Sequence, residues 1–163
     1  MSLSPQIPDP LTPRMLAELA AGSDWLVSWW PAAVGGVIAP ELASGFAPNT
    51  TECLNCARGG SQLETYLTAV VVPWVDQNYA TLPDWPHRVI GGMSSGGFCA
   101  LEHPLLHQEL FGTIIALEPY GDPGAGGRAM LATAAEFKAH SPSSYLPTLT
   151  FAHPVQTFFD VGG

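Results

Sequence analysis

The chain has 163 residues, enough for one domain with its own core, and its 47% hydrophobic content excludes wholesale disorder. The formal charge is −9, and the five basic residues (Arg14, Arg58, Arg88, Arg128 and Lys138) are scattered singly. No phosphate-binding stripe can form, so nucleic acid and anionic membrane surfaces are poor partners.

In chain order, the first 13 residues carry Pro5, Pro8, Pro10 and Pro13 and read as an extended lead-in. No basic segment precedes an apolar core there, so no signal peptide is visible, and both a cytoplasmic and an exported location stay open. Arg14–Ala21 has helical spacing of Met15, Leu16 and Leu19, with Gly22 as a stop. Trp25–Pro31 reads as a short helix or loop, and Val34–Ala39 as a short buried strand ended by Pro40. These boundaries divide the chain into a lead-in with a short helix over residues 1–33 and a core over residues 34–163.

Glu41–Gly60 is aperiodic and reads as a long loop. Cys53 and Cys56 within it form a lone C-x-x-C, which leaves open an incidental pair, a local disulfide, and a metal or redox pair. Ser61 and Glu64 have the spacing of a capping box for a helix running toward Tyr79, with Pro73 set to bend or interrupt it.

Thr81–Pro86 turns the chain into a strand at Arg88–Met93. A helix from Ser95 to about His103 is expected next, restarting after Pro104 and running to Leu110. Thr113–Leu117 is a strand, Tyr120–Gly127 a glycine-rich loop, Arg128–His140 a helix and Val155–Val161 a last strand. Apolar strands alternating with helices predict an α/β fold with a mostly parallel sheet flanked by helices. The apolar stretches Trp25–Pro40 and Thr68–Val75 are too short, or too broken by Pro and Gly, to span a bilayer.

One motif carries chemistry. Gly92-x-Ser94-x-Gly96 matches G-x-S-x-G, between an apolar strand and a helix-compatible segment. Small neighbours let strand and helix approach closely, and the sharp turn lifts the serine hydroxyl to the end of the sheet. Ser94 is the candidate nucleophile, and the N–H of Ser95 the expected oxyanion donor. Such a serine needs a base and an orienting carboxylate. His103 and His107 fall in the helix behind the turn, His140 at a helix end, and His153 before the last strand, at the opposite end of the sheet from Ser94. Glu118, just past a strand, is the best placed acid; Asp122 follows it, and Asp160 lies inside the last strand. No residue pattern calls for a cofactor or a metal.

The segments Glu64-Thr65-Tyr66-Leu67, Val72-Pro73-Trp74-Val75-Asp76, Gly92-Met93-Ser94-Ser95-Gly96-Gly97-Phe98 and Leu110-Phe111-Gly112 resemble the esterase family of α/β-hydrolases. That family includes esterase D-like enzymes and antigen 85 mycolyltransferases. Ser141-Pro142-Ser143-Ser144-Tyr145-Leu146 and Phe159-Asp160-Val161-Gly162 resemble its approach to the strand that bears the catalytic acid. The resemblance implies a partial α/β-hydrolase core, an acyl-enzyme formed through Ser94, and a small-molecule or lipid ester as substrate. It also implies an acid and a base beyond residue 163, and strands and an oxyanion loop upstream of Val34. The family fold is therefore expected to extend past both ends of this sequence. The alternative expectation is a non-catalytic remnant acting as a binding or interaction module, with self-association through unpaired sheet edges.

Overall fold

A computed structural model of the chain describes residues 25–29, 36–38 and 52–162. The helix expected over Arg14–Ala21 and the first part of the Glu41–Gly60 loop lie outside the described residues. Among the described residues, five strands form one sheet: β1 (Trp25–Trp29), β2 (Gly36–Ile38), β3 (Arg88–Met93), β4 (Thr113–Leu117) and β5 (Gln156–Asp160). Their order is β2-β1-β3-β4-β5. β3, β4 and β5 run parallel, and β1 is antiparallel to both β2 and β3. With its flanking helices this is an α/β fold matching part of the α/β-hydrolase topology. Met93, Leu117 and Asp160 stand in line across the parallel strands and mark their carboxyl edge.

Two readings near the start resolve differently. Of the strand expected over Val34–Ala39, the described residues Gly36–Ile38 form β2. Trp25–Pro31, read as a short helix or loop, instead supplies β1. Aromatic and β-branched residues suit a pleated strand, but pairing with β2 and with the distant β3 decides the matter.

The next helix begins at Leu63 as α1 (Leu63–Thr65), widens into a π-helical stretch at Tyr66–Val71, and resumes as α2 (Val72–Asn78). The Ser61–Glu64 capping box does not form. Gln62 occupies the cap position with no side-chain cap bond, and the Glu64 carboxylate is taken by His107 at 2.9 Å. Pro73 interrupts the regular helix as expected, and the structure shows how. Its ring would collide with the carbonyl one α-turn back, and the wider π turn, with the Val72 N–H bonded to the Leu67 carbonyl, relieves the crowding.

Helix α3 (Ser95–Leu106) runs without a break through Pro104, where a restart was expected. Phe98, Cys99, Ala100, Glu102, His103, Pro104 and Leu105 are all buried, and that packing overrides the local cost of proline. The glycine-rich loop also differs from expectation: Gly124–Met130 is a helix, α4. Asp122 accepts the Gly124 N–H at 2.8 Å just ahead of its first turn. The helix expected over Arg128–His140 is cut at Leu131–Thr133, where Thr133 and Glu136 form a complete capping box that starts α5 (Ala134–Ala139). Helix α6 (Pro142–Tyr145) and a 3-10 turn at Leu146–Thr148 lead toward β5.

The core between α2, α3 and the sheet is built from Leu67, Val71, Val72, Val75, Ile90, Ala100 and Phe111. Arg88 enters it as an ion, paired with Asp76 at 2.5 Å and donating to the Leu110 carbonyl at 3.2 Å, and so ties the start of β3 to α2. The cysteines correct the local-disulfide reading. Cys53 is bonded to Cys99 of α3, 46 residues away with a Cα–Cα distance of 5.6 Å, and Cys56 keeps a free thiol. At the far side of the described sheet, edge strand β5 leaves Phe158 and Phe159 exposed.

Candidate active site

β3 ends at Met93 and α3 begins at Ser95, so Ser94 is the whole of the turn between them. Its backbone has φ 57° and ψ −118°, a conformation an L-residue adopts only when its surroundings impose it. Three features impose it. The Ser94 N–H donates to the Leu117 carbonyl at 3.0 Å, extending the β3–β4 ladder past its formal end. The Ser94 carbonyl accepts the Phe98 N–H at 2.9 Å, the first bond of α3. Gly97 lets the helix press onto β4: a Cβ there would lie 2.4 Å from the Leu117 carbonyl oxygen and 3.4 Å from that of Gly92.

Gly97→Ala is therefore expected to push α3 away from β4 and lower stability by about 3 kcal/mol, at the upper end of the usual cost of overpacking. A thermal or urea melt checks it. An unchanged midpoint would show that the turn does not depend on this approach.

Ser94 is exposed, and among the described residues its hydroxyl has no hydrogen-bond partner. The N–H of Ser95 stands at the first position of a 12-residue helix, where backbone donors have no partner within the helix. Glu118 lies one residue past β4, beside the carbonyl that holds Ser94. It too has positive φ, 48°, and its N–H donates to the Asp160 carbonyl at 2.6 Å. The exposed carboxylate turns toward Gly162, where a Cβ would come within 3.0 Å of Glu118 Oε1. The carboxyl edge thus gathers Ser94, Ser95 and Glu118 in one place.

It gathers no histidine. His87 pairs with Asp84 at 2.5 Å. His153 stacks on Trp85 with ring centroids 4.8 Å apart, beyond the amino end of β3, as its position before the last strand implied. His103 is fully buried, its Nδ1 bonded to the Cys99 carbonyl at 3.1 Å, and burial pushes its pKa down to about 4. That ring is neutral near pH 7, so Nδ1 donates the bond. His107 bonds Glu64, and His140 bonds Glu102 at 2.9 Å. The helix-end position of His140 was legible in the sequence, but its partner on the buried side of α3 was not.

Residues 45–156 match the profile of the family described as Putative esterase. The chain belongs to this esterase family. No curated protein matches the sequence. The match within the esterase family takes in β3, the Ser94 turn, α3, β4 and Glu118. Among the described residues, no three His, Cys, Asp or Glu side chains converge to hold a metal ion, and no helix is long and apolar enough to cross a membrane.

Behind the turn, the buried groups of this esterase domain carry opposed pKa shifts. Burial raises Glu102 to about 7 against the pull of His140, while bonds to carboxylates raise His140 and His107. Groups with raised values stabilise the fold at low pH and lose that contribution as pH rises through their folded values. For Glu102 that loss spans pH 4.5 to about 7, and for the two histidines it runs upward from 6.5. His103, lowered to about 4 by burial, acts in the opposite sense and loses its contribution as pH falls from 6.5 toward 4. Glu64, lowered mainly by its bond to His107, loses its contribution below 4.5. The Glu102 and His103 slopes oppose each other in the acid range, so stability is expected to stay nearly level from about pH 4.5 to 6.5 and fall on either side. Melting temperature against pH measures this, and a rise from pH 7 to 9 would contradict it.

Proposed function

We propose that this esterase-family chain transfers acyl groups from esters through Ser94. The single observation that supports the reading most strongly is the exposed serine, held at positive φ between a strand end and the first turn of a helix. In the proposed reaction Ser94 Oγ attacks the ester carbonyl carbon and gives its proton to a general base. The developing oxyanion accepts the Ser95 N–H, whose pre-set direction stabilises charge at the moment it forms. Collapse breaks the bond to the alcohol, which leaves with the proton and an acyl-Ser94 ester behind it. Water or a second alcohol then takes the acyl group. Glu118 is the carboxylate offered to orient the base.

All five histidines have other partners, and the reading assigns none of them as the general base. The same fact favours a second reading, in which the domain binds an ester or a partner without turning it over. Both are separated by turnover of a short-chain nitrophenyl ester by the wild type and by Ser94→Ala. Acyl transfer predicts turnover above background that falls by roughly 10³-fold or more in the variant, the scale seen when a nucleophile is removed. Binding that survives in both proteins, with no turnover in either, supports the module. The acyl acceptor is read from the products, free acid for water and a new ester for an alcohol.

A further inference from the structure

A second ionisable cluster lies on the far half of α3 from Ser94 and takes no part in acyl transfer. Glu102, only 1% exposed, reaches across from α3 to His140, the residue that ends α5, with Oε1 and Nδ1 2.9 Å apart. This bond fastens the crossover between β4 and β5 to the helix whose first turn is the Ser94 turn. The crossover is itself a connected piece. Ser141 Oγ donates to the Phe137 carbonyl at 2.6 Å, and the Ser143 N–H donates to the Gly121 carbonyl at 2.9 Å. Gly121 lies three residues beyond Glu118, so α6 is linked directly to the loop that borders the candidate active site.

We propose that the Glu102–His140 pair is a pH-operated latch that holds the α5–α6 segment against α3 below neutrality and releases it in alkali. The physical reason is the unequal cost of the pair's states. A buried carboxyl that keeps its proton, or a carboxylate facing an imidazolium, is compensated; a buried carboxylate facing a neutral ring keeps the Nδ1–H hydrogen bond but has no countercharge. The groups around the pair are Glu64 from α1, His103 and His107 from α3, Glu136 from α5, and Tyr145 from α6. Glu64 is occupied by His107, and neutral His103 brings no cation. Glu136 closes the Thr133 capping box, and the buried Tyr145 hydroxyl, which has no partner among the described residues, cannot stand in for a positive charge. Nothing in that set replaces the proton lost from His140.

Hydrogen exchange of the whole chain at pH 6 and pH 9, corrected for base-catalysed intrinsic exchange, tests the latch. Amides of residues 134–145 are expected to lose about tenfold protection or more at pH 9, while β3 and β4 hold theirs. Glu102→Gln, neutral at every pH, is expected to remove that dependence. Equal corrected protection at the two pH values, or an undiminished drop in Glu102→Gln, overturns the proposal. Should that variant not fold, the wild-type His140 ring is followed by NMR. Its titration is expected to coincide with shifts of the Gly121 and Ser143 amides, and their indifference to it overturns the latch equally well. Neither readout depends on turnover, so the latch and the acyl-transfer reading stand or fall separately.

Discussion

Replacing Cys53 and Cys99 together by alanine is expected to lower the free energy of unfolding by about 4 kcal/mol, the loop-entropy value for a cross-link of this span. The bond joins residues 46 apart, and both cysteines are buried in the core that seats α3 against the sheet. Its loss would also remove a constraint on the backbone at Glu52 and Cys53. Glu52 and Cys53 are consecutive non-glycine residues at positive φ, 42° and 52°. They are held there by the disulfide and by the Tyr120 hydroxyl, which donates to the Glu52 carboxylate while its ring stacks on Phe98 of α3. Urea unfolding of the double variant and the oxidised wild type measures the difference. An unchanged midpoint at equal slope would mean that the cross-link adds nothing to the constraint supplied by packing. Cys56→Ala, which leaves the disulfide in place, is the control.

The larger expected effect is on chemistry. Ser94→Ala removes one oxygen atom from an exposed turn and should leave stability within about 0.5 kcal/mol, the usual range for a surface change. The backbone conformation is demanded by the Leu117 and Phe98 bonds rather than by the hydroxyl, so alanine inherits the same turn. Loss of acyl transfer without loss of fold is the signature expected of a nucleophile. A comparable loss in stability would instead mark a structural serine. Glu118→Gln separates the roles further. If Glu118 orients the base, turnover falls while the amount of enzyme that a serine-directed probe can label stays stoichiometric, only more slowly reached.

How much of this was legible in the sequence depended on the range of the interactions involved. Arg88–Met93 and Thr113–Leu117 were readable to the residue because short apolar runs bounded by prolines and glycines say nearly everything about a central parallel strand. The serine turn was readable for a similar reason, since its small residues follow from a steric demand made by immediate neighbours. β1 was not, because Trp25–Trp29 becomes a strand by pairing on both sides, with Gly36–Ile38 and with residues some sixty positions later. The Cys53–Cys99 bond was hidden by the closer and misleading Cys56. The Glu102–His140 pair was hidden by helical periodicity, which places Glu102 on α3 without saying what faces it. Pro104 misled in the other direction, as burial of α3 outweighed a strong local breaker. For the site, Ser94, Ser95 and Glu118 share one sheet edge because parallel strands end together, and that much a strand reading can supply. Where each histidine ring goes is a matter of tertiary packing.

The most direct test of the central claim is to treat the protein with a fluorophosphonate, which phosphonylates only activated serines, and to map the adduct by peptide mass spectrometry. Acyl transfer through Ser94 predicts one adduct, on the peptide containing Gly92–Gly97, absent from Ser94→Ala and from denatured wild type. A folded wild-type protein that takes up no label, or an adduct on another serine that persists in Ser94→Ala, would contradict it.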